Sequence, residues 1–511
     1  MSESRVQKSL LNAKVNLIFY VLTLFLSFFS RKIFLDCLGA DFVGLTGTLM
    51  NLLGFLNLAE LGIGAAIGYV LYKPLFDKDQ ERICEIISVF AYLYRWIGFI
   101  ILGLGCLLAC FLPLIFPDTG FNLGVICAAY FSFLASSLIG YFVNYKQTLL
   151  GADQKNYVIT CCFQGVNIAK TIVQMTCAYY SRNYYLWIIV ELVFGLVYSF
   201  CINQKIRNVY PWLVCSHKAG KTGLKKNGVI LVKARQLFVH LLAGSVRYQV
   251  LPFLIYSYTS LATVALYGNY MLICDKVSML FGQALNSTGA GVGNLIAEGN
   301  KPRIVEVFWE LTTIRYMIAA YVAFCLFYLI PDFIQIWLGE SYLLDETILL
   351  IIIVNAFLAS TRGTNEQFNY GYGLFHDTWA PLVTLLLTFG VACFLGAYWG
   401  LGGVILGDTA SALLIICIWK PYLLFSRGFK MSVWYYWVGI SRIAVAIIGS
   451  FVTASRLFMY CKADVCNVYA WVGNSLLCSL FFLISLVVFM GITNAKNMRL
   501  IFKRIIPKYV H

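Results

Sequence analysis

Charge is scarce in this chain. Of its 511 residues only 12% are Asp, Glu, Lys or Arg, against 60% that are hydrophobic. That is too little polar surface to coat a water-soluble globule, so the solvent it folds in is lipid. Histidine is scarcer still: the 4 residues His217, His240, His376 and His511 show no ligand spacing, and none of the 17 cysteines forms a CxxC, which argues against a metal centre. Gly220-Lys221-Thr222 lacks the rest of a phosphate-binding loop, because Cys215 stands where its first glycine is needed and no βα unit surrounds it; an ATPase is thereby excluded. Alternation of apolar and polar residues is missing from runs such as VLTLFLSFF and LLIIIVNAFLA, which excludes a membrane β-barrel. The first apolar run has no small-residue cleavage end and leads into Arg31, Lys32 and a second span, so its retention is expected.

What is present is a near-continuous series of apolar runs. A bilayer core about 30 Å thick needs roughly 20 apolar residues per helix, and about fourteen runs of that length occur. They cover residues 15–38, 42–70, 86–115, 122–144, 157–180, 184–204, 236–257, 262–286, 306–330, 345–366, 378–398, 402–424, 433–455 and 467–491. An all-α polytopic membrane protein is expected. Basic residues gather on one side: the amino terminus, the loops around Lys73–Arg82 and Lys146–Lys155, the long loop 205–235, and the tail from Lys496 to Lys508. The intervening loops (PDTG, SYTS, PDFIQIWLGESYLLDE, YWGLG) carry almost none, with Arg182, Arg456 and Lys462 as exceptions. Lysine and arginine mark cytoplasmic loops, so both termini are expected in the cytoplasm. The net charge of +15 then reflects this bias and the anionic inner leaflet, with no need for nucleic acid.

The basic loop 205–235 divides the chain into an amino-terminal six-helix lobe (1–204), a second six-helix lobe (236–424) and an extra helix pair with a basic tail (425–511). An even number of spans per lobe predicts a parallel repeat. Val43-Gly44-Leu45-Thr46-Gly47 opens the second span and Val264-Ala265-Leu266-Tyr267-Gly268 the eighth, and both spans later turn Gly-rich, in LGIGAAIG and STGAGVG. Chance similarity and close helix packing by small residues compete with duplication as the explanation.

The stretch from Arg31-Lys32-Ile33 to Leu38-Gly39, followed by Val43-Gly44-Leu45 and Ala59-Glu60-Leu61-Gly62, resembles the opening two helices of the O-antigen and capsular polysaccharide flippases. Leu149-Leu150-Gly151-Ala152-Asp153-Gln154-Lys155-Asn156-Tyr157 is similar to that family's cytoplasmic segment before the fifth helix. The resemblance implies membership of the multidrug/oligosaccharidyl-lipid/polysaccharide exporter superfamily. It further implies a two-lobed fold that moves an undecaprenyl-pyrophosphate-linked oligosaccharide across the bacterial inner membrane by alternating access, with no cofactor. Such flippases commonly have twelve spans; about fourteen is closer to the lipid II branch.

Charges inside spans carry the remaining signal, because each costs at least ~2.5–3.5 kcal/mol at a helix centre unless it faces protein or water. Asn16, Tyr20, Thr23, Ser27 and Arg31 form one polar stripe at helical period, expected to line a cavity. His240, Gly244 and Arg247 share a face of the seventh span; Asp275, Ser278, Gly282 and Asn286 share one on the eighth, beside Lys276; Asn355, Arg362 and Glu366 share one on the tenth. With Arg95, Lys170, Arg315 and Arg442 added, embedded cations outnumber the anions Glu60, Glu191, Asp275, Glu310, Glu366 and Asp408, which predicts a cationic interior. Such an interior suits a pyrophosphate, since guanidinium forks bind phosphate oxygens by charge-assisted bonds. Arg31, Arg247 and Lys276 are the candidate substrate ligands. Structural pairing or outward reach is the rival reading for each. Lys170 with Glu191, and Arg362 with Glu366, read better as internal pairs. Glu60 and Asp275 are candidates for coupling to protons or sodium, or for gating, against a purely structural pairing.

Three functions compete. A drug exporter of related fold favours a carboxylate-dominated cavity, and a glycan polymerase needs a sizeable outer loop. The cationic interior and short outer loops favour the flippase. The charge bias makes a topological prediction: cysteines introduced at Lys225 and Ser341 in a cysteine-free background label from opposite sides, and labelling of both only from outside intact cells overturns the orientation.

Overall fold

A computed structural model describes residues 5–60, 63–117, 119–153, 155–215, 220–223, 246, 248–286, 292, 295–296, 298–374, 377, 379–464 and 467–505. The longer helices are α1 (Arg5–Leu38), α2 (Ala40–Leu56), α3 (Ile63–Asp77), α4 (Gln80–Ala109), α5 (Leu123–Phe142), α6 (Gln147–Ala152), α7 (Asn156–Ser181) and α8 (Tyr184–Val209). They continue with α9 (Leu261–Asn286), α10 (Lys301–Trp337), α11 (Glu346–Thr361), α12 (Gly363–Gly371), α13 (Trp379–Trp399), α14 (Leu401–Phe429), α15 (Trp434–Cys461), α16 (Val468–Thr493) and α17 (Ala495–Ile505). Among the described residues 10 helices are long and apolar enough to cross a bilayer, and Ala40–Leu56 is a shorter apolar one. Helices α7 and α9 have the length but carry more polar residues. The chain is an all-α polytopic membrane protein.

Helix starts follow side-chain caps. Asp79, Asn122, Asn183, Asn300 and Asn467 each accept a hydrogen bond from a backbone N–H of the turn that follows, satisfying donors a helix cannot pair internally. These caps extend α4 and α10 beyond their apolar runs, so they start at Gln80 and Lys301 rather than near residues 86 and 306.

The expected second span, 42–70, is not one helix. It stops at Leu56, winds as a short 3₁₀ turn over Asn57–Glu60, and resumes as α3 at Ile63. The Asn57 side chain is held by Ser137 and Tyr141 from α5, and the Glu60 carboxylate by Tyr94 from α4. These tertiary bonds compete with the helix in a glycine-rich stretch that has little propensity to resist.

The described chain divides into two compact units, Met1–Ala265 and Leu266–His511. In the first, α1 packs on α7, α7 on α8, and α5 on both α4 and α8. Gly105 of α4 lets α5 come close: a Cβ there would fall 2.9 Å from Leu134, and the Tyr130 hydroxyl donates to the Gly105 carbonyl at 2.8 Å. Phe42 is stacked on Tyr184 and edge-on to Trp187, joining α2 to α8. Residues 248–265 group with this unit; Tyr256 stacks on Phe116, and a Cβ on Gly44 would lie 2.0 Å from the Leu261 carbonyl oxygen.

In the second unit α13 and α14 form a tight hairpin through Gly400, whose φ of +53° suits glycine. Thr388 donates to Ser411 between them at 2.9 Å. Helix α14 is irregular, with π-helical turns over Ala412–Trp419 and Leu424–Phe429. Phe308, Phe368, Phe425, Phe429 and Tyr436 make one buried aromatic cluster. The trailing pair α15 and α16 is fastened to α10 by Phe324 stacked on Phe482, by Tyr321 donating to Ser479, and by the Trp471 indole donating to the Leu329 carbonyl.

Candidate functional site

In the first unit the helix break sets a carboxylate among hydroxyls. The Tyr94 hydroxyl donates to Glu60 Oε1; one 3₁₀ turn earlier, Asn57 Oδ1 accepts from Ser137 at 2.9 Å and from Tyr141 at 3.1 Å. The Tyr94 and Tyr141 rings lie 5.4 Å apart. No cation pairs with Glu60 among the described residues.

Arg31 is half-buried near the end of α1, and one guanidinium nitrogen donates to the Ala265 carbonyl at 3.0 Å. That bond positions the guanidinium group. The stripe leading to Arg31 is largely satisfied locally. Thr23 and Ser27 donate to the α1 carbonyls of Phe19 and Leu24, Asn16 accepts from Thr160, and Asn12 accepts from the Tyr157 N–H, which ties α1 to α7.

Lys170 and Glu191 form the expected pair at 2.8 Å, and Gln174 completes it by donating to the other carboxylate oxygen at 2.9 Å and to the Trp187 carbonyl at 3.3 Å. Arg362 and Glu366 also pair, at 3.5 Å, around the junction of α11 and α12. Asn355 is spent on packing, donating to the Ile405 carbonyl and accepting from Thr409. Arg315 and Glu310 are buried on α10, with an Arg315 nitrogen 3.4 Å from the Ser360 carbonyl. Asp408 is buried on α14, whereas Arg95 and Arg442 are exposed on faces shared with Trp96 and Phe99, and with Val445. Asp275 is exposed and its neighbour Lys276 half-buried, adjacent positions of α9 pointing in different directions. Arg247, His240, Gly244 and most of the loop 205–235 and of STGAGVG lie outside the described residues.

The segment Leu149–Tyr157 closes on the residue following α8. Asp153 pairs with Lys155 at 2.7 Å and accepts from the Tyr210 hydroxyl at 2.8 Å, while the Lys155 ammonium lies 4.9 Å from the Tyr210 ring centroid. Burial, and then the Asp153 carboxylate, push the Tyr210 phenol well above its usual range. Asp377 makes a comparable knot in the second unit, accepting from Lys420 at 2.5 Å and from the Trp419 indole at 3.1 Å.

Sequence reasoning missed the partners. Tyr94, Tyr141 and Ser137 stand on other helices with no signal linking them to Glu60. Gln174 was within reach, four residues after Lys170 on the same helix face.

No protein-family model matches the sequence. No curated protein matches it either. Solved structures do: the lipid II flippase MurJ in an inward closed conformation has a TM-score of 0.65 over 94% of this chain and 99% of its own, at 14% identity. An inward-facing multidrug resistance MATE family transporter of the MOP superfamily has a TM-score of 0.60 over 82% of this chain and 99% of its own, also at 14% identity. The chain shares its fold with these two proteins. Arg31 lies on α1, Glu60 on the 3₁₀ turn between α2 and α3, and Asp275 and Lys276 on α9.

The Lys170–Glu191–Gln174 cluster yields a stability prediction. Lys170→Met leaves Glu191 with Gln174 alone, and the expected loss is about 3 kcal/mol, the low end for a broken buried pair. The low end applies because 20% and 13% of the two side chains stay exposed. Lys170→Met with Glu191→Leu recovers most of that loss in thermal unfolding; a double variant no more stable than the single one contradicts the pairing.

Proposed function

We propose that this protein is a flippase for an undecaprenyl-pyrophosphate-linked oligosaccharide, working by alternating access in the bacterial inner membrane with both termini in the cytoplasm and no enzymatic step. The observation that carries the reading is the likeness to a lipid II flippase over 94% of the chain, together with an arginine placed within a spanning helix. A lipid II flippase, by its name, moves a lipid-linked substrate. The two six-helix lobes (1–204 and 236–424) would rock about the substrate, with the pair within 425–511 as an addition to them. Arg31, Arg247 and Lys276 would hold the pyrophosphate, arginine through its bidentate fork. Glu60 and Asp275 would couple transport to protons or sodium. A cation-coupled multidrug exporter is the second reading, supported by the MATE likeness over 82% of the chain.

Arg31→Ala and Arg247→Ala are expected to abolish surface glycan export at normal membrane protein level, with lysine rescuing in part. Normal export by both alanine variants overturns the phosphate clamp, and loss of export with loss of protein assigns the arginines a structural role.

Coupling is read separately. Asp275→Asn and Glu60→Gln leave the protein folded and weaken ion-dependent transport in proteoliposomes. Unchanged dependence on both proton and sodium gradients removes that carboxylate from the mechanism.

A further inference from the structure

The apolar run of α16 ends at Thr493, and Asn494 leaves helical geometry with φ −134° and ψ 37°. Helix α17 starts at the next residue, so it departs from the axis of the span at the point where the membrane-compatible sequence stops. Its sequence, AKNMRLIFKRI, contains Lys496, Arg499, Lys503 and Arg504 and no acidic residue. Positions 496, 499 and 503 fall on one side of a helix and 498, 501 and 505 on another. The apolar side is already docked, since Met498 and Ile501 are buried in the core of the second unit. The polar seam is docked too: Asn494 and Asn497 donate to the Thr313 hydroxyl of α10 at 3.2 and 3.4 Å. Lys496 and Arg499 are left exposed.

One turn before Thr313 on α10, the Trp309 ring meets Tyr435 at 5.9 Å. Tyr435 and its neighbour Trp434 are 49% and 70% exposed at the start of α15. Exposed tryptophan and tyrosine at a span end mark headgroup depth. A rigidly docked basic helix next to that level meets a surface of diffuse phosphate charge, which attracts lysine and arginine by about 1 kcal/mol each and fades within a Debye length.

We infer that the basic outer face of α17 is a docking surface for the anionic phospholipid headgroups of the leaflet it adjoins, fastening the end of the trailing helix pair to the bilayer. That leaflet is the cytoplasmic one under the orientation proposed above. The docking itself requires neither that orientation nor any transported substrate.

The purified full chain is reconstituted in phosphatidylcholine vesicles and in vesicles of phosphatidylcholine with phosphatidylglycerol, and its Tm is measured in each. Anionic lipid raises the Tm of the unaltered protein. In Lys496→Gln/Arg499→Gln the rise falls by about half, because two of the four basic residues of α17 are removed, and added salt erodes the rise in the unaltered protein. Both side chains are exposed, so the variant's Tm in phosphatidylcholine stays unchanged. A full rise in the variant overturns the proposal. So does a rise of the same size when inorganic phosphate is added to phosphatidylcholine vesicles, which would mark a free-anion site. No transport is measured, so failure here is separate from failure of the flippase reading.

Discussion

Lipid offers no hydrogen bonds, and every feature of this protein answers that constraint. Each backbone N–H and C=O must find its partner inside the chain, which leaves helices as the form a spanning segment takes here. The same demand falls on small polar side chains within spans. Thr23, Ser27, Thr46 and Thr48 meet it by donating to carbonyls three or four residues back, so a polar sequence stripe does not of itself make a polar wall. Where helices pack, glycine takes the place of polar glue: the contacts at Gly44 and Gly105 leave no room for a Cβ, and dispersion between close backbones and side chains holds the helices together.

Charged groups meet the constraint in two ways with different consequences. Lys170, Glu191 and Gln174 close a network between α7 and α8, and Asp377, Lys420 and Trp419 another beside an irregular part of α14. Pairs of this kind resist separation, because parting them strands a charge in a poor dielectric. Glu60 is held differently, by a phenol from α4 at a place where its own helix is interrupted. An interrupted helix can bend there without breaking a full ladder of backbone bonds.

The trailing pair shows how an addition to the bundle is made permanent. Its contacts with α10 are aromatic stacking along the span, indole and hydroxyl hydrogen bonds, and at one end an exposed ion pair between Lys462 and Asp332. Burial of Phe324, Phe458 and Phe482 supplies the bulk of the packing, and the polar bonds set the register.

The hydrophobic runs by themselves determined that the chain is helical, that it spans a membrane many times, and roughly where most helices lie, because run length against bilayer thickness is a local property. Caps at Asp79 and Asn300 moved boundaries by a few residues in ways the apolar runs do not report. The pairing of Lys170 with Glu191 was legible because both are costly charges on adjacent helices. The interruption at Asn57–Glu60 was not, since nothing in that stretch announces the tyrosines and serine that hold it. Those partners come from α4 and α5, 34 residues from Glu60 and 80 and 84 from Asn57, and only the packing of these helices brings them to one point. Sequence decided which residues must find partners in lipid; tertiary structure decided which partners they found, because that choice depends on distances between helices that no local pattern encodes.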